Sequence, residues 1–285
     1  MPVTCLSIGN YGRLGNSLFQ LSMLIAIREK LAYEILVPDQ THAIWDGQKS
    51  LLNCFNHTVK TLGNNDKFAY NFIETTEFQF KYNPKIWEIP DNTNIFGFFQ
   101  NFGYYDFCWS TIQKELELKS EYLLPNIEKF NRIREQYKGY EIVSLHLRRG
   151  DSAGNMYDGN FTTSLWYQYF NRARNYFQDK KVKFIIFTGG IKGDDSDQSE
   201  YEWCKSVFIG DEFIILDEKR NPIDDFTLIQ QCDHHILSPV SSFGYMAVAL
   251  IKDKPNKIIV APQNYHFLET SLGDDLFYPK EFILV

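Results

Sequence analysis

A chain of 285 residues is long enough for two domains of ordinary size, and with 44% apolar and 23% charged residues it can bury a core, which excludes wholesale disorder. Its 29 basic and 36 acidic side chains leave a net charge of −7, a poor match to nucleic acid or to an anionic membrane surface. No run approaches the roughly 18 apolar residues needed to span a bilayer, and the first residues lack the basic leader and small-residue cleavage site of a secretory signal.

In chain order, residues 4–8 (TCLSI) read as a strand and residues 9–16 (GNYGRLGN) as a glycine-rich turn. Residues 17–31 form a helix that is apolar nearly all round, hence buried, and 34–37 a second strand. The stretch 41–94 is rich in Asn, Thr and aromatics and carries no periodicity that assigns elements. A strand at 95–99 (IFGFF) and helices at 107–118 and 126–137 complete the first half, and a domain boundary is expected at Lys138-Gly139.

The second half alternates strand and helix. Glu141–Leu147 (EIVSLHL) is a strand by its length and β-branched content, followed by a helix at 164–178 and a strand at 183–188. A helix at 198–208, a strand at 213–216 and a helix at 224–232 led by acidic residues come next. A strand at 234–237, a buried helix at 243–251 and a strand at 257–260 end the series. Such alternation predicts a parallel sheet covered on both faces, whose ligands bind beyond the carboxyl ends of the strands where their order reverses. The five cysteines are scattered and form no Cys-x-x-Cys pair, so they read as reduced, buried thiols of an intracellular protein.

Three segments carry candidate chemistry. His146-Leu147-Arg148-Arg149-Gly150-Asp151 ends the strand Glu141–Leu147, and two arginines leaving a buried strand are costly unless an anion or a carboxylate meets them. Alternation along the strand sets His146 and Arg148 together and Arg149 apart. A guanidinium never loses its charge and bonds phosphate oxygens two at a time, so one arginine suits an anionic ligand while the other pairs with Asp151 or a neighbouring element. The plain alternative is a structural ion pair beside a solvated arginine. Gly9-Asn10-Tyr11-Gly12-Arg13-Leu14-Gly15-Asn16 lets backbone approach an anion, although its spacing fits neither the dinucleotide fingerprint nor the phosphate loop ending in Lys-Ser/Thr. Ser238-Pro239-Val240-Ser241-Ser242-Phe243 offers Ser241 or Ser242 as a helix N-cap and, on the same sheet edge as Arg148, hydroxyls and amides for phosphate. Asp195-Ser196-Asp197 has the form of a metal-binding acidic triplet, but with Asp194 and Glu200 beside it reads as a solvated acidic loop. His234 and His235 point to opposite faces of a strand and read as core residues.

In this order the segments resemble the pattern of glycosyltransferase family 11, the α-1,2-fucosyltransferases. The resemblance lies in Gly12 through Gln20, in Phe96-Gly97-Phe98-Phe99-Gln100 with Tyr104-Tyr105, in His146 through Asp151, and in Asp233 through Leu250 followed by Lys257-Ile258-Ile259-Val260-Ala261-Pro262. It implies a GT-B-like α/β fold of two Rossmann-like domains with a donor-binding cleft between them. Residues 1–138 would form the acceptor side, with the glycine-rich turn facing the cleft, and residues 139–285 the sugar-nucleotide-binding domain. The implied reaction is an inverting, metal-independent transfer of L-fucose from GDP-fucose to a sugar hydroxyl, α-1,2 to galactose or a similar hexose.

The resemblance assigns Arg148 to the donor diphosphate and His146 to the neighbourhood of the nucleotide. Gly12, Arg13 and Asn16 would line the cleft, with Ser241, Ser242 and Phe243 by the phosphates. Arg149 and Asp151 complete the donor set, and Asp158 is the expected base for the acceptor hydroxyl. No cofactor or metal is expected, only the donor and a glycan acceptor, in a cytoplasmic protein with room for peripheral association with a membrane-linked glycan. Two departures stand out: Gly189-Gly190 where the family carries Ser-Asp-Asp, with Asp194-Asp195 displaced, and Ser-Pro-Val-Ser-Ser-Phe-Gly-Tyr where it carries Asn-Ser-Thr/Ser-Phe-Ser-Trp-Trp. The alternatives are a transferase of this fold using another nucleotide sugar, and a silent glycan- or nucleotide-binding protein.

Overall fold

The computed structural model describes residues 1–39, 44–45, 48–49, 51–63, 67–75, 77, 80–149, 161–188, 196–216, 220–239, 241–252, 255–263 and 277–285. The chain divides into two compact units, one of Met1–Lys119 with Leu272–Lys280 and one of Ser120–Ser271 with Glu281–Val285. Each is built on a parallel sheet, which the alternation of elements predicts for the second.

The first unit contains β1 (Val3–Thr4), α1 (Leu14–Leu31), β2 (Ile35–Val37), a hairpin of β3 (Ile44–Trp45) and β4 (Gln48–Lys49), β5 (Lys60–Thr61), β6 (Tyr70–Ile73), β7 (Thr93–Phe96) and α2 (Trp109–Glu115). Its main sheet runs β5-β2-β1-β7-β6 with every pairing parallel. Helix α1 is buried along most of its length, in keeping with an apolar surface that leaves no polar stripe for water. Its last turn is closed by Ala32 in the left-handed region, at φ 56°. The strand expected at 4–8 leaves the sheet after Thr4, because the Leu6 amide turns to the Asn94 side chain at 3.0 Å and the Tyr11 amide closes a turn on Ser7 O at 2.8 Å. The strand expected at 95–99 lies instead at Thr93–Phe96, ended by Gly97 and by Phe99 at φ 54°.

The second unit contains α3 (Ser120–Gln136), β8 (Glu141–Leu147), α4 (Leu165–Arg174), β9 (Val182–Thr188), α5 (Ser196–Val207), β10 (Phe213–Ile215), α6 (Pro222–Gln231), β11 (His234–Ile236), α7 (Ser242–Ala249), β12 (Ile259–Ala261) and β13 (Ile283–Leu284). Asn126 of α3 donates to Asp224 of α6 at 3.0 Å, and Arg134 pairs with Asp233 at 2.9 Å. Those contacts bind α3 to the second unit. Its sheet runs β10-β9-β8-β11-β12-β13, again all parallel. From β8 the chain steps outward twice in one direction, then crosses to β11 and steps outward in the other. The order therefore reverses between β8 and β11, and the carboxyl ends of those two strands mark where a doubly wound sheet opens a crevice. The edge strand β13, only two residues long, is not anticipated by the sequence pattern.

One face of this sheet presents Val143, Leu145, Leu147 and Ile236 to Trp166, Tyr169 and Phe170 of α4, all buried. The opposite face carries Ser144, whose hydroxyl meets His235 Nδ1 at 2.8 Å, and His146, which lies under α7. Period-two alternation thus sends the apolar residues of β8 to one helix layer and its polar residues to the other. All five cysteines are buried free thiols. Among the described residues no helix is long and apolar enough to cross a membrane.

Candidate functional site

At the reversal of the second sheet, β8 ends on His146-Leu147 and hands over to Arg148. The Arg148 amide donates to Ser238 Oγ at 3.0 Å, and the same hydroxyl accepts from Trp166 Nε1 at 3.3 Å. One buried serine after β11 thereby fastens the exit of β8 to β11 and to α4. This fixes where the arginine backbone leaves the sheet, and with it the origin of the guanidinium. Arg149 diverges, with its guanidinium 3.8 Å over the ring of Trp203 on α5.

His146 lies against the first turn of α7. A Cβ built on Gly244 would come within 2.6 Å of its Nδ1, so glycine is what admits the ring, and Phe243 stands 5.7 Å away centroid to centroid. The imidazole is buried, and Nδ1 has no hydrogen-bond partner among the described residues. Burial, with the Arg148 charge adding to it, pulls its pKa down to about 3. His146 is therefore a neutral ring at neutral pH, able to accept or donate one hydrogen bond without adding charge. Ser241 caps α7, its hydroxyl accepting from the Gly244 amide at 3.3 Å, and Ser242 begins the helix; both are buried.

In the first unit the pairing of Thr4 with Asn94 brings together the segments leaving β1 and β7. Gly12 sits at φ +89°, and a Cβ there would fall 2.3 Å from Asn16 Nδ2, so both its conformation and its contact require glycine. Asn16 Oδ1 accepts from Gln100 Nε2 at 2.6 Å, and Gln20 Nε2 reaches Gly97 O at 3.0 Å and Ser7 Oγ at 3.2 Å. Arg13 takes the N-cap position of α1, and its carbonyl accepts from the Ser17 amide at 3.0 Å. Glu74 closes the arrangement, one carboxylate oxygen accepting from the Phe98 and Phe99 amides at 2.8 and 3.1 Å. Burial raises its pKa to about 7 against those two donors.

The expected residues thus fall into two groups. His146, Arg148, Ser241, Ser242 and Phe243 meet at the edge of the second sheet, with Arg149 directed toward α5. Gly12, Arg13 and Asn16 gather at the edge of the first. Asp151 and Asp158 lie outside the described residues, as do Gly150, Gly189-Gly190 and Asp194-Asp195. Among the described residues no three His, Cys, Asp or Glu side chains gather to hold a metal. His234 and His235 are structural: the first accepts from the Ile258 amide at 3.0 Å and approaches Glu141 at 3.4 Å, the second bonds Ser144. Ser238 and Gly244 lie in segments that the sequence singles out, but their roles, as acceptor for the Arg148 amide and as the gap that admits His146, rest on partners remote in the chain. Trp203 and Glu74 carry no sequence signal, since their partners too come from other elements.

The model of the family described as Glycosyl transferase family 11 matches residues 4–280. In fold the chain is similar to NodZ alpha-1,6-fucosyltransferase soaked with GDP-fucose, at 15% identity and a TM-score of 0.51, over 88% of this chain and 92% of that one. It is similar also to fucosyltransferase NodZ from Bradyrhizobium, at 14% identity and a TM-score of 0.50, over 86% and 92% of the two chains. POFUT1 in complex with GDP-fucose aligns at 12% identity and a TM-score of 0.51, over 91% and 97%. Likeness at such identities carries the fold and says nothing of single residues. No curated protein matches the sequence.

Proposed function

This chain belongs to glycosyl transferase family 11, and from that premise we propose that it moves L-fucose from GDP-fucose to a sugar hydroxyl, with inversion and without a metal, in α-1,2 linkage to galactose or a similar hexose. In this reading the C-terminal Rossmann-like part holds the donor and the N-terminal part serves the acceptor, in a GT-B-like arrangement. The enzyme would work in the cytoplasm, on a soluble or membrane-linked glycan.

The observation that carries the proposal is the anchoring of Arg148 by Ser238 where the strand order reverses. In the transfer an acceptor oxygen attacks C1 of the sugar, the C1–oxygen bond to the diphosphate breaks, and GDP departs with the bonding pair. The acceptor proton passes to a base, for which Asp158 is proposed on sequence grounds alone. Negative charge grows on the diphosphate as positive charge grows on the ring. A permanent cation held in place beforehand binds that state more tightly than the ground state. Ser241, Ser242 and the first-turn amides of α7 are proposed to share the phosphate oxygens, because a helix N-terminus favours an anion. Neutral His146 fits a role as a hydrogen-bonding wall beside the nucleotide.

The test is a donor panel read by thermal shift, since a ligand that binds only the folded chain raises its melting temperature. GDP and GDP-fucose are expected to raise it, UDP-galactose and UDP are not, and fucosyl transfer is expected to persist in EDTA. Stabilisation by UDP alone would move the protein to another donor class. Binding of GDP-fucose without transfer or hydrolysis across an acceptor panel would favour a silent binding protein.

A further inference from the structure

Four apolar side chains stand open around the carboxyl ends of β1, β6 and β7 in the first unit: Leu6 (47% exposed), Tyr11 (37%), Phe96 (39%) and Ile73 (60%). Ile73 and Phe96 are cross-strand partners. The Tyr11 ring lies flat on Phe98, with centroids 4.7 Å apart and planes 1° from parallel, and 5.1 Å from Phe96 at 30°. Three rings from two segments far apart in sequence thus form one shelf.

The shelf rests on a polar layer that is unusually constrained. Glu74 holds the Phe98 and Phe99 amides, and a Cβ on Gly97 would fall 2.5 Å from the Glu74 side chain, so the carboxylate sets the path of the backbone that carries Phe98. Gln20 grips the Gly97 carbonyl from helix α1, and Gln100 holds Asn16, four residues on from Gly12. Glu74 Oε1 and Gln20 Oε1 are buried acceptors that have no hydrogen-bond donor among the described residues. Buried polar atoms without partners are costly, and the usual resolution is water or a ligand hydroxyl. A buried carboxylate and a buried amide are a large outlay for a loop whose outer surface would only face water.

The chemistry of the shelf selects its occupant. A protein partner needs roughly 800 Å² per side for a stable interface, far more than three rings offer. A hexopyranose has one face of C–H bonds that lies against an aromatic ring, and a rim of hydroxyls that seek polar partners such as the buried Glu74 and Gln20 acceptors beneath the rings. We propose that Tyr11, Phe96 and Phe98 form a carbohydrate subsite that takes the apolar face of a hexopyranose ring, with Glu74 beneath it as a positioning residue. The inference rests on the transferase reading above and names the surface that would hold the acceptor sugar.

The test is saturation-transfer NMR on the full chain with methyl β-D-galactopyranoside as probe, with GDP binding measured on the same samples. Wild type is expected to saturate H3, H4 and H5, the protons of the apolar face. Tyr11→Ala should lose at least four-fifths of that signal and Tyr11→Phe should keep it. Glu74→Ala should lose it while Glu74→Gln, which retains an oxygen for the two amides, restores it. No transfer to wild type, or equal transfer in wild type and Tyr11→Ala, overturns the subsite. Full signal in Glu74→Ala overturns the positioning role. If GDP binds wild type while the galactoside signal ignores Tyr11, the subsite falls and the donor reading stands; a Tyr11-dependent signal without GDP binding gives the reverse.

Discussion

In the second unit the edge of the parallel sheet carries charge: two arginines leave β8, one over an indole, and the histidine before them is kept neutral by burial. In the first unit the corresponding edge carries rings and amides beside Arg13, with the Glu74 carboxyl, whose pKa burial pushes up to about 7. A charged edge suits a diphosphate, and an aromatic, amide-lined edge suits a neutral sugar. One architecture thus carries two edges of different character, and what separates them is the residues that follow the strands.

The comparison breaks most visibly at Arg148. Arg148→Ala should lower the transfer rate by about 10²–10³-fold, the usual cost of losing one preorganised donor to a developing anion, with an unchanged melting temperature. Arg148→Lys should recover only part of the rate, because an ammonium cannot bond two oxygens in a fixed fork. A variant within threefold of wild type in steady-state turnover would remove the arginine from the mechanism.

Two substitutions test the scaffold beneath it. Ser238→Ala removes the acceptor shared by the Arg148 amide and the Trp166 indole N–H, and should destabilise by about 1–3 kcal/mol in urea unfolding. Gly244→Ala drives a methyl against His146 and should cost about 1–3 kcal/mol by overpacking. Either variant at wild-type stability would mean that the crevice is not held as described.

Acid titration sets the two edges against each other. The native pKa of His146 is lowered from 6.5 to about 3, so the unfolded chain binds the extra proton and stability falls as pH drops from 6.5 toward 3. The native pKa of Glu74 is raised from 4.5 to about 7, so the folded chain binds the extra proton and stability falls as pH rises from 4.5 toward 7. Over the shared window the contributions oppose. Glu74→Gln should therefore make stability rise more steeply with pH between 4.5 and 6.5 than in wild type, measured as unfolding free energy at several pH values. An unchanged slope would deny the burial of that carboxyl. The smallest effect belongs to Trp203→Leu, which removes the surface under Arg149 and should cost about 0.5–1 kcal/mol.

The second unit was more legible in the sequence than the first. Its strands are continuous apolar runs between capped helices, and β8 falls on the residues its composition picks out. Asn221 and Asp224 form a reciprocal cap around Pro222, which starts α6 two residues ahead of its periodic part. The first unit hides its sheet in pieces of two to four residues, and β6 exposes three of its four side chains, so no run or alternation announces them. Of the sites, the arginine motif and the glycine-rich turn were readable because each is local. The acceptor role of Ser238, and Glu74 altogether, were not, since each acts on amides that only the folded sheet brings within reach.

The central claim is that Arg148 meets a diphosphate. Calorimetry of GDP and of guanosine against wild type and Arg148→Ala isolates that contact, because the two ligands differ only in the phosphates. Wild type should bind GDP at least a hundredfold more tightly than guanosine, and Arg148→Ala should lose most of that preference while its guanosine affinity stays as in wild type. A preference for GDP undiminished in Arg148→Ala would contradict the account.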